Sequence, residues 1–310
     1  MSHKLIFVVF GATGNQGGSV VDTFLQDPEL ANKYHIRAVT RDINKPEAKA
    51  LQSKGAEVVQ GDSDDAASLP RVLQGAHSVF ITTVSVFDEQ LMEREFRQGK
   101  AMADAAVAAG VKQIVFSSLP PAAIISHNKY NVAVFDSKYK VQQYIRTLPV
   151  NSTFFVPGSF MQNFKHALHP KPVGDGTFVI SAPYDLTTEL PLMSAVDSGK
   201  WVATLVEHPD KYKDAEVRAA AGMYTVDEII KTISRVTGKV VKFNKISIDA
   251  FKSSLPPGVA GPLADQYQYI SEFGYFGPQT RSLIEASIRL ARGHLTTFEE
   301  YVAKDPFQLE

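Results

Sequence analysis

Apolar runs that alternate with helical segments constrain the fold of this chain more than any other feature. Each of the first five runs is followed by a stretch with helical periodicity. Strands joined by helical crossovers build a parallel sheet that is buried on both faces. We therefore predict an α/β fold with a doubly wound, Rossmann-type parallel sheet. The six runs are LIFVVF (5–10), IRAVTR (36–41), AEVVQGD (56–62), SVFITTV (78–84), QIVFSSL (113–119) and STFFVPG (152–158).

The alternation ends after Gly158, and prolines and glycines then cluster in HPKPVGDGTFVISAP (169–183). Such a cluster is typical of a helix end followed by a hairpin. We predict a nucleotide-binding domain over residues 1–157 and a smaller C-terminal α/β region over residues 158–310, some segments of which return to the first domain. Within the second region, LPPGVAGP (255–262) is predicted to be a loop.

The composition excludes several classes of function. The 310 residues carry a formal net charge of -1 and form no basic cluster, so we expect no direct nucleic-acid partner. The absence of cysteine excludes disulfides, cysteine zinc sites and thiolate nucleophiles. The eight histidines form no metal-binding motif, and we expect no metal. No apolar run approaches the roughly 20 residues that span a bilayer. We expect a cytoplasmic or nuclear protein, monomeric or homodimeric, with no membrane contact.

The first strand leads into a glycine-rich turn, GATGNQG (11–17), which opens a helix. Gly11, Gly14 and Gly17 supply a tight turn, a close backbone approach to a pyrophosphate and close packing of the helix on the strand. The helix N-terminus adds unpaired N–H groups for the phosphates. We expect Thr13, Asn15 and Gln16 to contact the same cofactor.

The second predicted strand ends in Thr40 and Arg41, where an NAD site would carry an acidic residue for the ribose 2′-hydroxyl. A guanidinium binds a 2′-phosphate, whereas a carboxylate would repel it. The sequence therefore favours NADP(H), with Lys45 close enough to assist. Asp62, after the third strand, either faces the adenine or caps the next helix.

These segments, with QGKAMADAA (98–106), VFSSL (115–119), VFDSK (134–138), FFVPGSFMQNF (154–164) and QYISEFGYFG (268–277), resemble the NmrA-like family, an atypical branch of the short-chain dehydrogenase/reductases. The resemblance implies a Rossmann domain that carries NADP(H) and a smaller region that forms the other wall of the cleft. It also implies a set of residues near the nicotinamide: Thr82, Thr83, Lys138, Pro157, Phe160 and Asn163.

Standard short-chain enzymes use Tyr-x-x-x-Lys, in which the tyrosine transfers a proton. Lys138 is in place here, but Val134 occupies the tyrosine position. Tyr130 could substitute only from a preceding loop. Ser117 or Ser118 stands where the family places a hydrogen-bonding serine. Lys138, Ser117 and Tyr130 are the catalytic candidates, although Lys138 could also hold the ribose without a chemical role.

Two functions follow from the resemblance, and a third remains open. The first, which we favour at this point, is an NADPH-dependent reductase acting on a small hydrophobic molecule, with Lys138 replacing the tyrosine. The second is a non-catalytic NADPH/NADP⁺ sensor that regulates a partner protein such as a transcription regulator. The third is an interaction scaffold that binds no nucleotide. The aromatic group over residues 266–276 would line an apolar pocket in the first two cases, although at least half of it is expected to be core.

Overall fold

A computed structural model describes residues 3–304, 307 and 309. Its largest sheet has seven strands, all parallel, in the order β11-β6-β5-β4-β1-β2-β3. The α/β, doubly wound prediction is confirmed. The strands of this sheet are β1 (Leu5–Val9), β2 (Tyr34–Thr40), β3 (Glu57–Gln60), β4 (Ala76–Ile81), β5 (Gln113–Ser117), β6 (Asn151–Pro157) and β11 (Glu216–Ala219).

Helices cover both faces of the sheet, as parallel crossovers require. Within the described residues they are α1 (Asn15–Gln26), α2 (Pro28–Lys33), α3 (Pro46–Ser53), α4 (Leu69–Leu73), α5 (Leu91–Ala108), α6 (Ala122–Ile125), α7 (Ala133–Arg146), α8 (Ser198–Glu207), α9 (Val226–Thr237), α10 (Ile248–Ser253), α11 (Pro257–Phe273), α12 (Thr280–Ile288) and α13 (Phe298–Lys304). No helix in this part of the chain is both long and apolar enough to cross a membrane.

Successive residues of the central strands point to opposite faces of the sheet and bury two separate cores. In β1, Val8 belongs to one apolar cluster, whereas Phe7 and Val9 belong to the other. The strands read as nearly continuous apolar runs because both faces are covered.

The chain leaves the large sheet at Gly158 and forms two smaller, mixed sheets. One contains β7 (Ser159–Phe160), β10 (Glu189–Met193) and β12 (Gly222–Thr225), and the other contains β8 (Lys171–Pro172), β9 (Thr177–Ala182) and β13 (Val240–Lys245). β8 and β9 form the hairpin predicted around residues 174–176. The large sheet regains a strand from this region, β11, which pairs with β6.

The segment LPPGVAGP is not the predicted loop, because α11 begins at Pro257 and continues through Gly258, Gly261 and Pro262. Proline is favoured at the first position of a helix, where no N–H partner is needed. The loop prediction is wrong for residues 257–262. Proline and glycine do not end the helix here, because the apolar residues that follow in α11 stabilise it by packing in the core.

α8, from the second region, packs against α1 and fixes the helix that carries the glycine turn. The Ser19 hydroxyl donates to the carbonyl oxygen of Val196 at 2.6 Å and accepts from the Gly199 N–H at 3.0 Å. Trp201 of α8 is fully buried in the core on this face.

Candidate cofactor-binding cleft

A cleft of about 380 Å³ lies at the carboxyl ends of the parallel strands, where the strand order reverses between β1 and β4. In doubly wound sheets this reversal point is where ligands bind. The lining comes from the loops after β1, β2, β3 and β4, with contributions from α5 and β7. It consists of Phe10, Gly11, Thr13, Gly14, Asn15, Gln16, Gly17, Val39, Thr40, Arg41, Asp42, Lys45, Gly61, Asp62, Ser63, Thr82, Val84, Met102 and Phe160.

The glycine turn leaves no room for side chains at its two ends. Gly11 has a φ of +66°, and a β-carbon on it would lie 2.7 Å from Cγ2 of Thr82. A β-carbon on Gly17 would lie 2.3 Å from the carbonyl oxygen of Gly11, so α1 can pack this closely on the turn only with glycine at that position.

The first turn of α1 presents free backbone donors. Gly14 is the N-cap residue and supplies no side-chain cap. Within the described part of the chain, the N–H groups of Asn15, Gln16 and Gly17 have no acceptor. Unpaired donors at the positive end of a helix dipole form an anion-binding site. The turn therefore fits a pyrophosphate.

Arg41 and Lys45 extend from the loop after β2 into the same cleft, and both are exposed. Neither cationic group has an ion-pair or hydrogen-bond partner among residues 3–304, 307 and 309. Asp42 also lines the cleft, but its Oδ1 accepts from the Asn44 N–H at 2.9 Å, which turns that oxygen toward its own loop. Two unpaired cations beside the end of β2 fit a 2′-phosphate.

Asp62 lines the cleft and is also part of the turn before α4. Its Oδ1 accepts from the Asp64 N–H at 3.0 Å, while Asp65 caps the short 3₁₀ turn Ala66–Ser68. Asp64 is held from α5 by Arg97 at 2.9 Å and by Gln98 at 2.8 Å, and the hydrogen bond from Arg97 lowers the pKa of Asp64. Helix α5 therefore fixes the loop that carries Asp62.

Lys138 does not line the cleft. Its Nζ donates to Oγ1 of Thr83 at 2.7 Å and to Oε2 of Glu95 at 3.0 Å, in a site where Glu95 is fully buried and the Lys138 side chain is 11% exposed. Ser137 donates to the same carboxylate oxygen at 3.0 Å. Burial lowers the pKa of the Lys138 ammonium, and the charge and hydrogen bond of Glu95 oppose that shift. Thr83 belongs to this cluster, whereas Thr82 faces the cleft.

Ser117 and Tyr130 are also not in the lining. Ser117 is 2% exposed, and its hydroxyl donates to Oε1 of Gln16 at 2.8 Å. The Tyr130 hydroxyl donates to Oε2 of Glu272 at 2.7 Å, so this tyrosine contacts α11. None of the three catalytic candidates is in the described lining of the cleft, and the polar group of each is hydrogen-bonded to another residue of the chain.

Of the three residues predicted near the end of β6, Phe160 lines the cleft and the other two do not. Pro157 is buried and pairs with Ala219 of β11, whereas Asn163 is exposed in the 3₁₀ turn Met161–Lys165 with its Nδ2 3.4 Å from Ser159. Pro157 and Asn163 are therefore outside the cleft.

The aromatic residues of the second region are mostly core, as expected. Tyr269, Tyr275 and Phe276 are buried, and the first two pack against Phe135 of α7.

Val134, which stands at the tyrosine position, lines a small apolar cavity of about 20 Å³. The other lining residues come from the loop after β4, the start of α5, the start of α7 and α11: Phe87, Asp88, Leu91, Ala133, Gly258, Val259, Pro262 and Gln266. Val84 lines the main cleft, three residues before Phe87, and both side chains are exposed, at 52% and 43%. The exposed segment 84–87 therefore contributes one residue to the lining of the cleft and one to the lining of the apolar cavity.

Sequence reasoning missed Glu95, which is the partner of Lys138, and the lining residues Asp42, Ser63 and Met102. Glu95 gives no local signal because it sits in an ordinary charged helical segment 43 residues before Lys138. Met102 is an apolar residue of a kind that usually belongs to a core. Its position in the lining follows only from the way α5 crosses the end of β4.

The sequence model of one protein family matches residues 2–302 of this chain. An NmrA-like family domain-containing oxidoreductase of Cladobotryum sp. is 28% identical over 261 residues, which cover 78% of this chain and 76% of that protein.

Solved structures share the fold. NmrA, a negative transcriptional regulator crystallised with NADP, has a TM-score of 0.80 and 24% identity, covering 99% of this chain and 96% of its own. An NADPH-dependent quinone oxidoreductase of Escherichia coli, complexed with NADPH, has a TM-score of 0.75 and 22% identity, covering 97% of this chain and 99% of its own. From the match over nearly its whole length, this chain belongs to the NmrA-like family.

Proposed function

We propose that this chain binds NADP(H) in the cleft between β1 and β4 and acts as an NADPH-dependent reductase of electrophilic, hydrophobic acceptors. The observation that carries the binding proposal is the pairing of an uncapped α1 N-terminus with the free Arg41 guanidinium in one cleft. The first suits a pyrophosphate and the second suits a 2′-phosphate. Structural relatives crystallised with NADP, NADPH or NAD support a nicotinamide dinucleotide, and the choice of NADP(H) rests on Arg41.

The charges in the cleft lie at one end. Among the described lining residues, the titratable side chains are Arg41, Asp42, Lys45 and Asp62, all from the loops after β2 and β3. The lining from β4, α5 and β7 is Thr82, Val84, Met102 and Phe160, which is mainly apolar. The end opposite Arg41 would therefore exclude water and accept an apolar molecule.

Among the described lining residues, that apolar end has no titratable side chain that could donate a proton, which favours a particular class of acceptor. Val134 replaces the tyrosine, Lys138 is bound to Glu95, and Tyr130 is bound to Glu272. When bound, NADPH supplies a hydride. These residues suit an acceptor, such as a quinone, whose reduced form is a stabilised anion that takes its proton from water after it leaves the cleft. A distant oxidoreductase relative and the fold shared with a quinone oxidoreductase are consistent with this reaction.

The test is NADPH consumption with a panel of quinones, compared with simple ketones that need a positioned acid. We expect turnover with quinones and little with ketones. A larger rate with ketones would contradict the proposed chemistry, and the absence of turnover with every acceptor would remove the reductase proposal while leaving cofactor binding intact.

A second function is favoured by the Lys138 cluster itself. Lys138 is paired with a buried carboxylate and does not line the cleft, which equally suits a protein that binds the cofactor and does not turn it over. Such a redox sensor would bind NADPH and NADP⁺ with different affinities and change its affinity for a partner protein accordingly. The fold shared with a negative transcriptional regulator is consistent with this role. Equal affinity for the two oxidation states would exclude it.

A further inference from the structure

The side chain of Gln16 is oriented by a buried serine on a distant strand. Gln16 is the second residue of α1 and lines the cleft, whereas Ser117 is the last residue of β5 and is 2% exposed. The Ser117 Oγ lies 2.8 Å from Oε1 of Gln16, across 101 residues of sequence. Ser117 is therefore outside the lining but in direct contact with a residue that lines the cleft.

This contact fixes which end of the Gln16 amide faces the ligand. Within the described residues, the Ser117 hydroxyl has no other hydrogen-bond partner. If the amide were reversed, its NH₂ would face the hydroxyl, and the buried hydroxyl proton would have no acceptor. Since a buried hydrogen-bond donor without an acceptor is unfavourable, the carbonyl oxygen faces Ser117. The Nε2 group is then left as a donor at the cleft.

The sheet order indicates which half of the cofactor this donor meets. β5 lies beyond β4 on one side of β1, whereas β2 and β3, whose loops carry Arg41 and Asp62, lie on the other. Gln16 therefore leans away from the Arg41 end of the cleft. Its amide is placed for the phosphate on the nicotinamide side of a pyrophosphate held by α1.

We propose that Ser117 is a positioning residue that holds the Gln16 amide so that its Nε2 donates to the nicotinamide-side phosphate of NADP(H). This proposal rests on the proposed cofactor binding. It gives Ser117 a role that differs from that of a catalytic serine, which would contact the substrate.

A double-mutant cycle with two ligands tests the proposal. Dissociation constants are measured by calorimetry for NADPH and for adenosine 2′,5′-bisphosphate, which lacks the nicotinamide half. The variants are Gln16→Met, Ser117→Ala, the double variant and the conservative Ser117→Thr. Thermal unfolding of each variant controls for a general loss of structure.

We expect Gln16→Met to weaken NADPH binding about tenfold and Ser117→Ala about three- to tenfold. The double variant should bind NADPH no more weakly than Gln16→Met alone. The reason is that Ser117 acts by positioning the Gln16 amide, which Gln16→Met already removes. Ser117→Thr should restore affinity, and binding of the bisphosphate should change less than about twofold throughout.

Additive losses in the double variant, or equal losses for both ligands, would overturn the positioning role. Unchanged NADPH affinity in Gln16→Met would do the same, and this variant keeps the test available if Ser117→Ala does not fold. If the unmodified protein binds neither ligand, the proposed function itself fails. That result differs from one in which the protein binds NADPH with an affinity that the substitutions at Gln16 and Ser117 leave unchanged.

Discussion

The Nζ atom of Lys138 lies 3.0 Å from Oε2 of Glu95, and the carboxylate is fully buried. Its second oxygen, Oε1, has no partner within the described residues. The pair joins α5 to α7, and through Thr83 it also joins both helices to the end of β4. The lysine that the sequence marks as catalytic is thus part of the support behind the cleft wall.

Removing the lysine alone is expected to destabilise the protein strongly. Lys138→Met leaves Glu95 buried without a counter-charge, which costs about 3–5 kcal/mol in comparable pairs. The double variant Lys138→Met/Glu95→Leu should recover most of the loss, because no charge is left uncompensated. Denaturant unfolding monitored by circular dichroism measures both values. A loss of less than about 1 kcal/mol in the single variant would show that the pair is solvated.

Glu95→Gln should make stability depend on pH in a defined direction. Burial already lowers the pKa of Lys138 below 10.5, and Glu95 opposes that shift, so its removal lowers the pKa further. Between that lowered pKa and 10.5, the unfolded chain then binds more protons than the folded chain. Stability should rise as the pH increases toward that value. Denaturant unfolding of this variant and of the unmodified protein over that range checks the slope. A slope no steeper than that of the unmodified protein would contradict this account.

Gly17→Ala should disrupt the glycine turn. The added methyl group would approach the Gly11 carbonyl oxygen to 2.3 Å, which forces α1 away from the turn. We expect NADPH affinity to fall by at least about tenfold, with a loss of stability of about 1–3 kcal/mol. Gly261→Ala is the matched control, since no atom lies within 4 Å of its added carbon and the residue is inside a helix. That variant should bind NADPH with the affinity of the unmodified protein and should be no less stable to unfolding.

Tyr130→Phe should leave NADPH binding and any quinone turnover within about twofold of the unmodified protein, because the hydroxyl is bound to Glu272 and is not in the cleft. Steady-state kinetics and calorimetry measure both quantities. A large fall in kcat with unchanged NADPH affinity would instead show that Tyr130 reaches the substrate and supplies the missing proton.

The parts of the fold that depend on local pattern could be predicted from the sequence. β1 to β6 overlap the six apolar runs. α9 begins at a capping box, because Thr225 and Glu228 have the Thr-x-x-Glu spacing that such a box requires. β11 was not identified as a strand because Glu216–Ala219 is only four residues long and gains its stability from pairing with β6.

The candidate site also contains residues that can be placed from the sequence and residues that cannot. Residues next to a recognisable turn or strand end, such as Gly11, Arg41 and Thr82, lie where the sequence predicts them. The polar groups of Lys138 and Ser117 do not reach the cleft, because each is bound by a partner far away in sequence, Glu95 or Gln16. A motif fixes the position of a residue on its helix or strand, but the direction of a long or buried polar side chain is set by tertiary contacts.

The most direct test of the central claim is calorimetric titration of the protein and its Arg41→Ala variant with NADPH and with NADH. Lys49→Ala, which removes an exposed cation of α3 outside the cleft, is the control. We predict that the protein binds NADPH more tightly than NADH, and that Arg41→Ala weakens NADPH about 10- to 100-fold while NADH changes less than about threefold. Failure to bind either nucleotide, or equal weakening of both by Arg41→Ala, would contradict the account.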